Sequence, residues 1–140
     1  MRVVLDSNIL FSALISPHGP PHRIFQAWRS KRFELVTCSI QLDEIRRASR
    51  YPKFRDILKP HRVGRMVNDL HGAILIDKLS REFEAADPHD SFLLALADAA
   101  RAHYLVTGDK RAGLLSRKQV GNARILTAAN FCQDVLRDAG

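Results

Sequence analysis

Short apolar runs that stop abruptly at small polar or acidic residues recur along the chain. Val3-Val4-Leu5 ends at Asp6-Ser7-Asn8, and Tyr104-Leu105-Val106 ends at Thr107-Gly108-Asp109-Lys110. Phe33 to Cys38, Ala73 to Ile76 and Arg124 to Leu126 are three more runs of the same kind. Runs this short, apolar at consecutive positions, predict strands buried on both faces. Between them the spacing changes to that of helices. Ile9 to Ile15 reads as one, and a second opens near Pro21 with Ile24, Phe25 and Trp28 on one face. Ser39 is placed to cap a third, striped by Ile40, Leu42, Ile45 and Ala48. Pro60 separates two helical pieces that reach Leu70; Asp90 to His103 and Ala128 to Leu136 complete the set. No hairpin signal is read between the runs. The alternation predicts an α/β fold, with a central, mostly parallel five-stranded sheet flanked by helices on both faces. Without repeats or a linker, residues 1–140 are expected to form a single domain.

Composition adds an ordinary soluble balance, 46% hydrophobic and 26% charged residues, enough to build a core without disulfides. The apolar run before Asp6 is too short for a signal peptide or a membrane span, so a cytoplasmic protein without membrane association is expected. Cys38 and Cys132 lack a C-x-x-C pairing or a nearby histidine at zinc spacing, and read as buried, reduced thiols. Charge changes the picture more. The net charge of +7 and a pI near 10.0 favour an anionic partner such as nucleic acid.

Ligands of open parallel sheets bind beyond the carboxyl ends of the strands. Asp6 and Asp109 fall at two such ends, Glu44 on the helix after the second strand, and Asp90 at the opening of the helix that leads into the fourth. Asp87 stands one turn before Asp90. Taken singly, each acid reads as a helix cap or a solvated surface group. Converging at one sheet end they would repel, and a bound cation removes that conflict. An all-oxygen donor set selects Mg²⁺ or Mn²⁺ over zinc. An acidic metal pocket in a basic protein suits phosphodiester hydrolysis, with the basic surface holding the backbone.

The motifs together resemble the PIN-domain family. Val3-Val4-Leu5-Asp6-Ser7-Asn8 is similar to its first motif and Leu42-Asp43-Glu44-Ile45 to its second. Asp87-Pro88-His89-Asp90 with the Ala- and Leu-rich run after it resembles the third, and Tyr104 to Lys110 the fourth. Arg50-Tyr51-Pro52-Lys53-Phe54, Arg124 to Thr127 and Asn130-Phe131 are smaller echoes, so the likeness spans essentially the whole chain. The subgroup resembled is that of VapC-like toxin components of toxin–antitoxin systems. The resemblance implies that Asp6, Glu44, Asp90 and Asp109 ligate Mg²⁺ or Mn²⁺ and carry catalysis. It also implies that Asn8, Thr107 and Asp87 orient those acids and their waters. Two departures stand out. Lys110-Arg111-Ala112 occupies a stretch where relatives carry another acid, and His89 stands where a further acid is common, which bears on the number of metal ions.

The expected activity is therefore metal-dependent endoribonuclease, as the toxin of a type II toxin–antitoxin system. Arg46, Arg47, Lys110 and Arg111 are the candidates for RNA phosphate contacts. A small antitoxin protein and a homodimer are the expected partners besides RNA. Two alternatives compete. A haloacid-dehalogenase-like phosphatase would use Asp6 as a nucleophile, but needs an acid where Asn8 stands and gives Glu44 no task. A non-catalytic RNA- or partner-binding module would leave the acids idle.

Overall fold

A computed structural model of the chain describes residues 1–79, 88–108 and 113–137, and of residues 88–90 the backbone alone. Among these, six strands form one sheet: β1 (Arg2–Leu5), β2 (Glu34–Thr37), β3 (Ile74–Leu75), β4 (Tyr104–Thr107), β5 (Gln119–Val120) and β6 (Ala123–Thr127). Their order across the sheet is β3-β2-β1-β4-β6-β5. Every neighbouring pair is parallel except β5 with β6.

The five strands read from the apolar runs are all present. The sixth, β5, corrects the five-stranded expectation, and with it the reading that no hairpin signal exists. Gly121-Asn122 joins β5 to β6 as a two-residue turn, with Val120 paired to Ala123. Gly121 has φ +54°, and a Cβ there would stand 2.8 Å from Asp98 Oδ1, so glycine answers both the backbone and the space. Gly-Asn between two short runs is itself a hairpin mark.

The helices are α1 (Ser7–Ile15), α2 (Pro20–Arg29), α3 (Ser39–Arg47), α4 (Pro60–Leu70), α5 (Pro88–Ala99), α6 (Leu114–Arg117) and α7 (Ala128–Asn130). Two 3-10 turns, Ala48–Arg50 and Pro52–Phe54, separate α3 from α4, and α7 continues in π-helical form over Phe131–Leu136. None of the described helices is long and apolar enough to cross a membrane. The expected cap of α3 differs in detail. Cys38 is the N-cap, and Ser39 inside the helix donates from both its N–H and its hydroxyl to Asp77, each at 2.8 Å. Asp77 follows β3, so the strand beside β2 supplies the acceptor. Those two bonds hold its carboxyl below the usual carboxylate range.

Alternation along the strands separates two cores. Val3, Leu5, Leu35 and Val106 face α1, α2, α3, α4 and the C-terminal segment, whereas Val4, Val36, Leu105 and Ile125 face α5 and α6. This is why the strands read as continuous apolar runs: both faces are covered. Phe131 is fully buried and meets Phe33 and Tyr104 edge-on, at centroid distances of 5.7 and 5.6 Å. That cluster anchors the C-terminal segment, in which Leu136 O accepts from Arg32 Nη2 at 2.6 Å. Both cysteines are buried and unbridged, and burial pushes the Cys38 thiol up, keeping it protonated.

Candidate metal centre at the carboxyl end of the sheet

From β1 the chain builds outward through β2 to β3, then returns to the other side of β1 with β4. The direction of building therefore reverses between β1 and β4, where two loops leave the strands in opposite senses and open a crevice. Asp6 is the first residue beyond β1 and Thr107 the last of β4. The register that pairs Leu5 with Val106 brings them side by side. Thr107 Oγ1 donates to Asp6 Oδ2 at 2.8 Å, and the Asn8 N–H donates to Asp6 Oδ1 at 3.1 Å.

Asp6 is thus also the N-cap of α1, so its capping and its candidate ligand roles coexist in one residue. Asp6 is buried, 5% exposed as a residue. A buried carboxylate costs stability unless its oxygens are satisfied, and here a hydroxyl and a helix N–H each engage one. The helix dipole adds to that support. Asn8 acts on Asp6 through its main chain, while its side chain is exposed.

Burial of polar side chains is concentrated at this end. Among the described residues, the buried polar or charged ones are Asp6, Ser7, Thr37, Gln41 and Thr107. All five lie at, or just beyond, the carboxyl ends of β1, β2 and β4. Gln41 was not singled out from the sequence. It is 1% exposed; its Nε2 donates to Leu5 O at 2.6 Å, and its Oε1 accepts from Thr37 Oγ1 at 2.7 Å. Ser7 Oγ lies 3.4 Å from the same Nε2. One amide thus ties α3 to the peptide that carries Asp6. A glutamine near a helix start carries little sequence signal of burial; the adjoining buried Thr37 at a strand end was the available hint.

Glu44 lies three residues beyond Gln41 on α3, on the same helical face, and is half-buried. Asp90 lies in the first turn of α5 by its backbone; its side chain falls outside the described residues. After α5 the chain enters β4 at its amino end, where the His103 N–H donates to Arg2 O at 2.8 Å. Asp87, Asp109, Lys110 and Arg111 lie outside the described residues. Arg46 and Arg47 end α3 and are exposed, with Arg46 Nη1 3.0 Å from Asp43 Oδ1. Among the described residues no group of three or more His, Cys, Asp or Glu side chains is placed to hold a metal. The structure thus brings Asp6 and Thr107 together and puts Glu44 on the helix bonded to their crevice.

Comparison with known proteins bears on this arrangement. A sequence model described as PIN domain matches residues 2–111. No curated protein matches the sequence. The fold is similar to a solved structure of VapBC2 from Rickettsia felis bound to a DNA fragment from their promoter. That likeness has a TM-score of 0.60 and 20% identity, over 91% of this chain and 98% of that one.

Proposed function

The chain belongs to the PIN-domain family, and from that premise we propose that residues 1–140 form a single-domain, metal-dependent endoribonuclease, the toxin of a type II toxin–antitoxin pair. The observation that carries this reading is the buried Asp6 carboxylate at the reversal point of the sheet, held by Thr107 and by the first turn of α1. Its capping of α1 needs a side-chain oxygen, which Ser or Asn would also supply, rather than a charge. An oxygen donor fixed at the mouth of a crevice, with Glu44 on the adjoining helix, fits a hard divalent cation.

Asp6, Glu44, Asp90 and Asp109 would hold Mg²⁺ or Mn²⁺. When bound, the ion supplies positive charge that acidifies an attacking water and offsets charge on the leaving oxygen. Thr107 keeps one Asp6 oxygen engaged and leaves the carboxylate a single orientation. Gln41 fixes the strand end on which Asp6 stands. Glu44 would accept the proton of the attacking water, and Asp87 would steady Asp90 one turn away. Arg46, Arg47, Lys110 and Arg111 would meet phosphates of the RNA. The fold likeness to a VapBC2 assembly motivates a small antitoxin as the proposed partner, and a cytoplasmic setting and a homodimer are proposed with it.

The phosphatase alternative fits less well. At the position where it needs a second acid, Asn8 contributes its main-chain N–H to Asp6 and exposes its side chain. The test is incubation of the purified chain with a mixed RNA pool in Mg²⁺, Mn²⁺ or EDTA, beside an Asp6→Asn/Asp90→Asn control. Metal-dependent cutting that disappears in the control supports the reading. Folded, inhibitor-free protein that cuts nothing in either metal, and binds neither, would sink it.

A further inference from the structure

The net charge of the chain has a single address. Between Arg46 and Arg65 lie eight of the 22 Lys and Arg residues and one acid, Asp56, of the 15. The other 120 residues hold 14 of each sign, so these twenty carry the whole +7. All eight basic side chains are exposed. The segment covers the last turn of α3, the two 3-10 turns and the first half of α4.

Its backbone is held from below by Ala48, Leu58 and Val63, each 3% exposed or less, and by Phe54 packed on Phe11 at 5.3 Å. With those residues turned inward, the charges form an outward rank. Of the eight, Arg46 is the one with an ion pair among the described residues, to Asp43. Like charges this dense repel, and a polyanion laid along them relieves that repulsion while releasing its counterions. Aromatic groups are interleaved. Tyr51 is 37% exposed in the middle of the rank, and Lys53 Nζ stands 4.8 Å over the Phe54 ring. Basic groups mixed with an exposed ring suit single strands, whose unstacked bases offer π-faces. The rank begins beside the metal centre, since Arg47 follows Glu44 by three positions on α3 and shares its face. The exposed large apolar groups of the segment are Tyr51 and Ile57, too few for the apolar centre of a protein interface.

We propose that the segment from Arg46 to Arg65 is the docking surface for single-stranded RNA and leads it to the site; the choice of RNA among polyanions rests on the nuclease reading. The test is fluorescence anisotropy of a labelled, unstructured RNA oligonucleotide with the full chain, in EDTA so that the strand stays whole, over a range of KCl. One variant neutralises the rank (Arg50→Gln, Lys53→Gln, Arg55→Gln, Lys59→Gln). A charge-matched variant neutralises Lys31→Asn, Arg101→Asn, Lys118→Asn and Arg124→Gln elsewhere; asparagine is used where the backbone has positive φ.

The rank variant is expected to lose on the order of 100-fold in affinity at 0.1 M salt, and its log–log salt slope to flatten by about 3. The matched variant is expected to lose less than about 3-fold, and Tyr51→Ala about 10-fold. Equal losses in the two fourfold variants, or none in the rank variant, would overturn the proposal. So would polyglutamate displacing the RNA as well as unlabelled RNA does, or duplex DNA binding more tightly than the single strand. Rank-dependent binding without cleavage in metal would leave this surface standing and remove the nuclease; cleavage with rank-independent binding would do the reverse.

Discussion

The two ends of the sheet are built from the same backbone bonds and opposite side chains. At the amino end, Glu34 N–H donates to Met1 O, His103 N–H to Arg2 O and Arg124 N–H to His103 O, at 2.8, 2.8 and 3.0 Å. The side chains there, Arg2, Glu34, His103 and Arg124, are exposed, with Arg2 Nη1 donating to Ala100 O and His103 Nδ1 accepting from Arg2 N–H, each at 3.1 Å. At the carboxyl end, Asp6, Ser7, Thr37, Gln41 and Thr107 are buried and bonded to one another or to the strand ends. The main chain at the amino end is satisfied by backbone partners, whereas at the carboxyl end Asp6 caps α1 and Gln41 meets Leu5 O. Burying five polar groups there costs desolvation that an apolar set would avoid. The difference teaches that polar burial is concentrated at the end where the proposed metal site lies, and is absent among the described side chains of the amino end.

That contrast can be broken at graded points. The largest effect is expected from Asp6→Asn. Its amide oxygen can still accept from Asn8 N–H, and Thr107 can turn its hydroxyl to accept instead, so the fold survives. Cleavage rate in Mn²⁺ should fall on the order of 10³-fold, while Glu34→Gln at the opposite end leaves it unchanged. Equal rates for the two variants would erase the distinction between the ends. Thr107→Val keeps the shape and removes the donor to Asp6. Titration calorimetry with Mn²⁺ should show an affinity roughly 10- to 100-fold weaker.

Gln41→Leu comes next. It strands Leu5 O and removes the acceptor of Thr37, a loss of about 2 kcal/mol read from urea unfolding. His103→Ala, at the amino end, should stay within about 0.5 kcal/mol in the same assay.

The smallest effect belongs to Asp77, at the carboxyl end but fully exposed. Its carboxyl is held below the ordinary range by Ser39, so its contribution is complete above that range and fades as pH falls through the lowered value. Melting curves of Asp77→Ala should lie slightly below the parent at pH 7 and converge with it in strong acid. A gap that widens in acid would reverse the assigned sign.

How much of this was legible depends on whether the signal was local. Val3-Val4-Leu5 and Leu105-Val106 announced strands because both faces of each are covered, which leaves no polar positions to confuse the period. Asp6 was legible through its company with the other acids at the strand ends, since singly it reads as the helix cap that it also is. Strand β5 is two residues long, too short for any period, and was betrayed only by Gly121-Asn122. Gln41 was hidden for another reason. Its burial follows from the register of β1 with β2 and from α3 crossing the end of both, and no local pattern encodes that meeting. The Ser39–Asp77 pair spans 38 positions and is hidden in the same way. The uneven distribution of charge was open to counting, yet it acquires meaning once Ala48, Leu58 and Val63 are seen to hold that segment down.

Among the described residues both margins of the sheet are short: β3 is Ile74–Leu75 and β5 is Gln119–Val120. An outermost strand offers its unpaired amides and carbonyls to any other chain, and the danger of runaway association grows with its length. Two residues give an incoming strand almost nothing to register against. Concentrated stocks of the protein should therefore stay clear of fibrils on standing, with thioflavin fluorescence flat at concentrations where longer-edged sheets begin to seed.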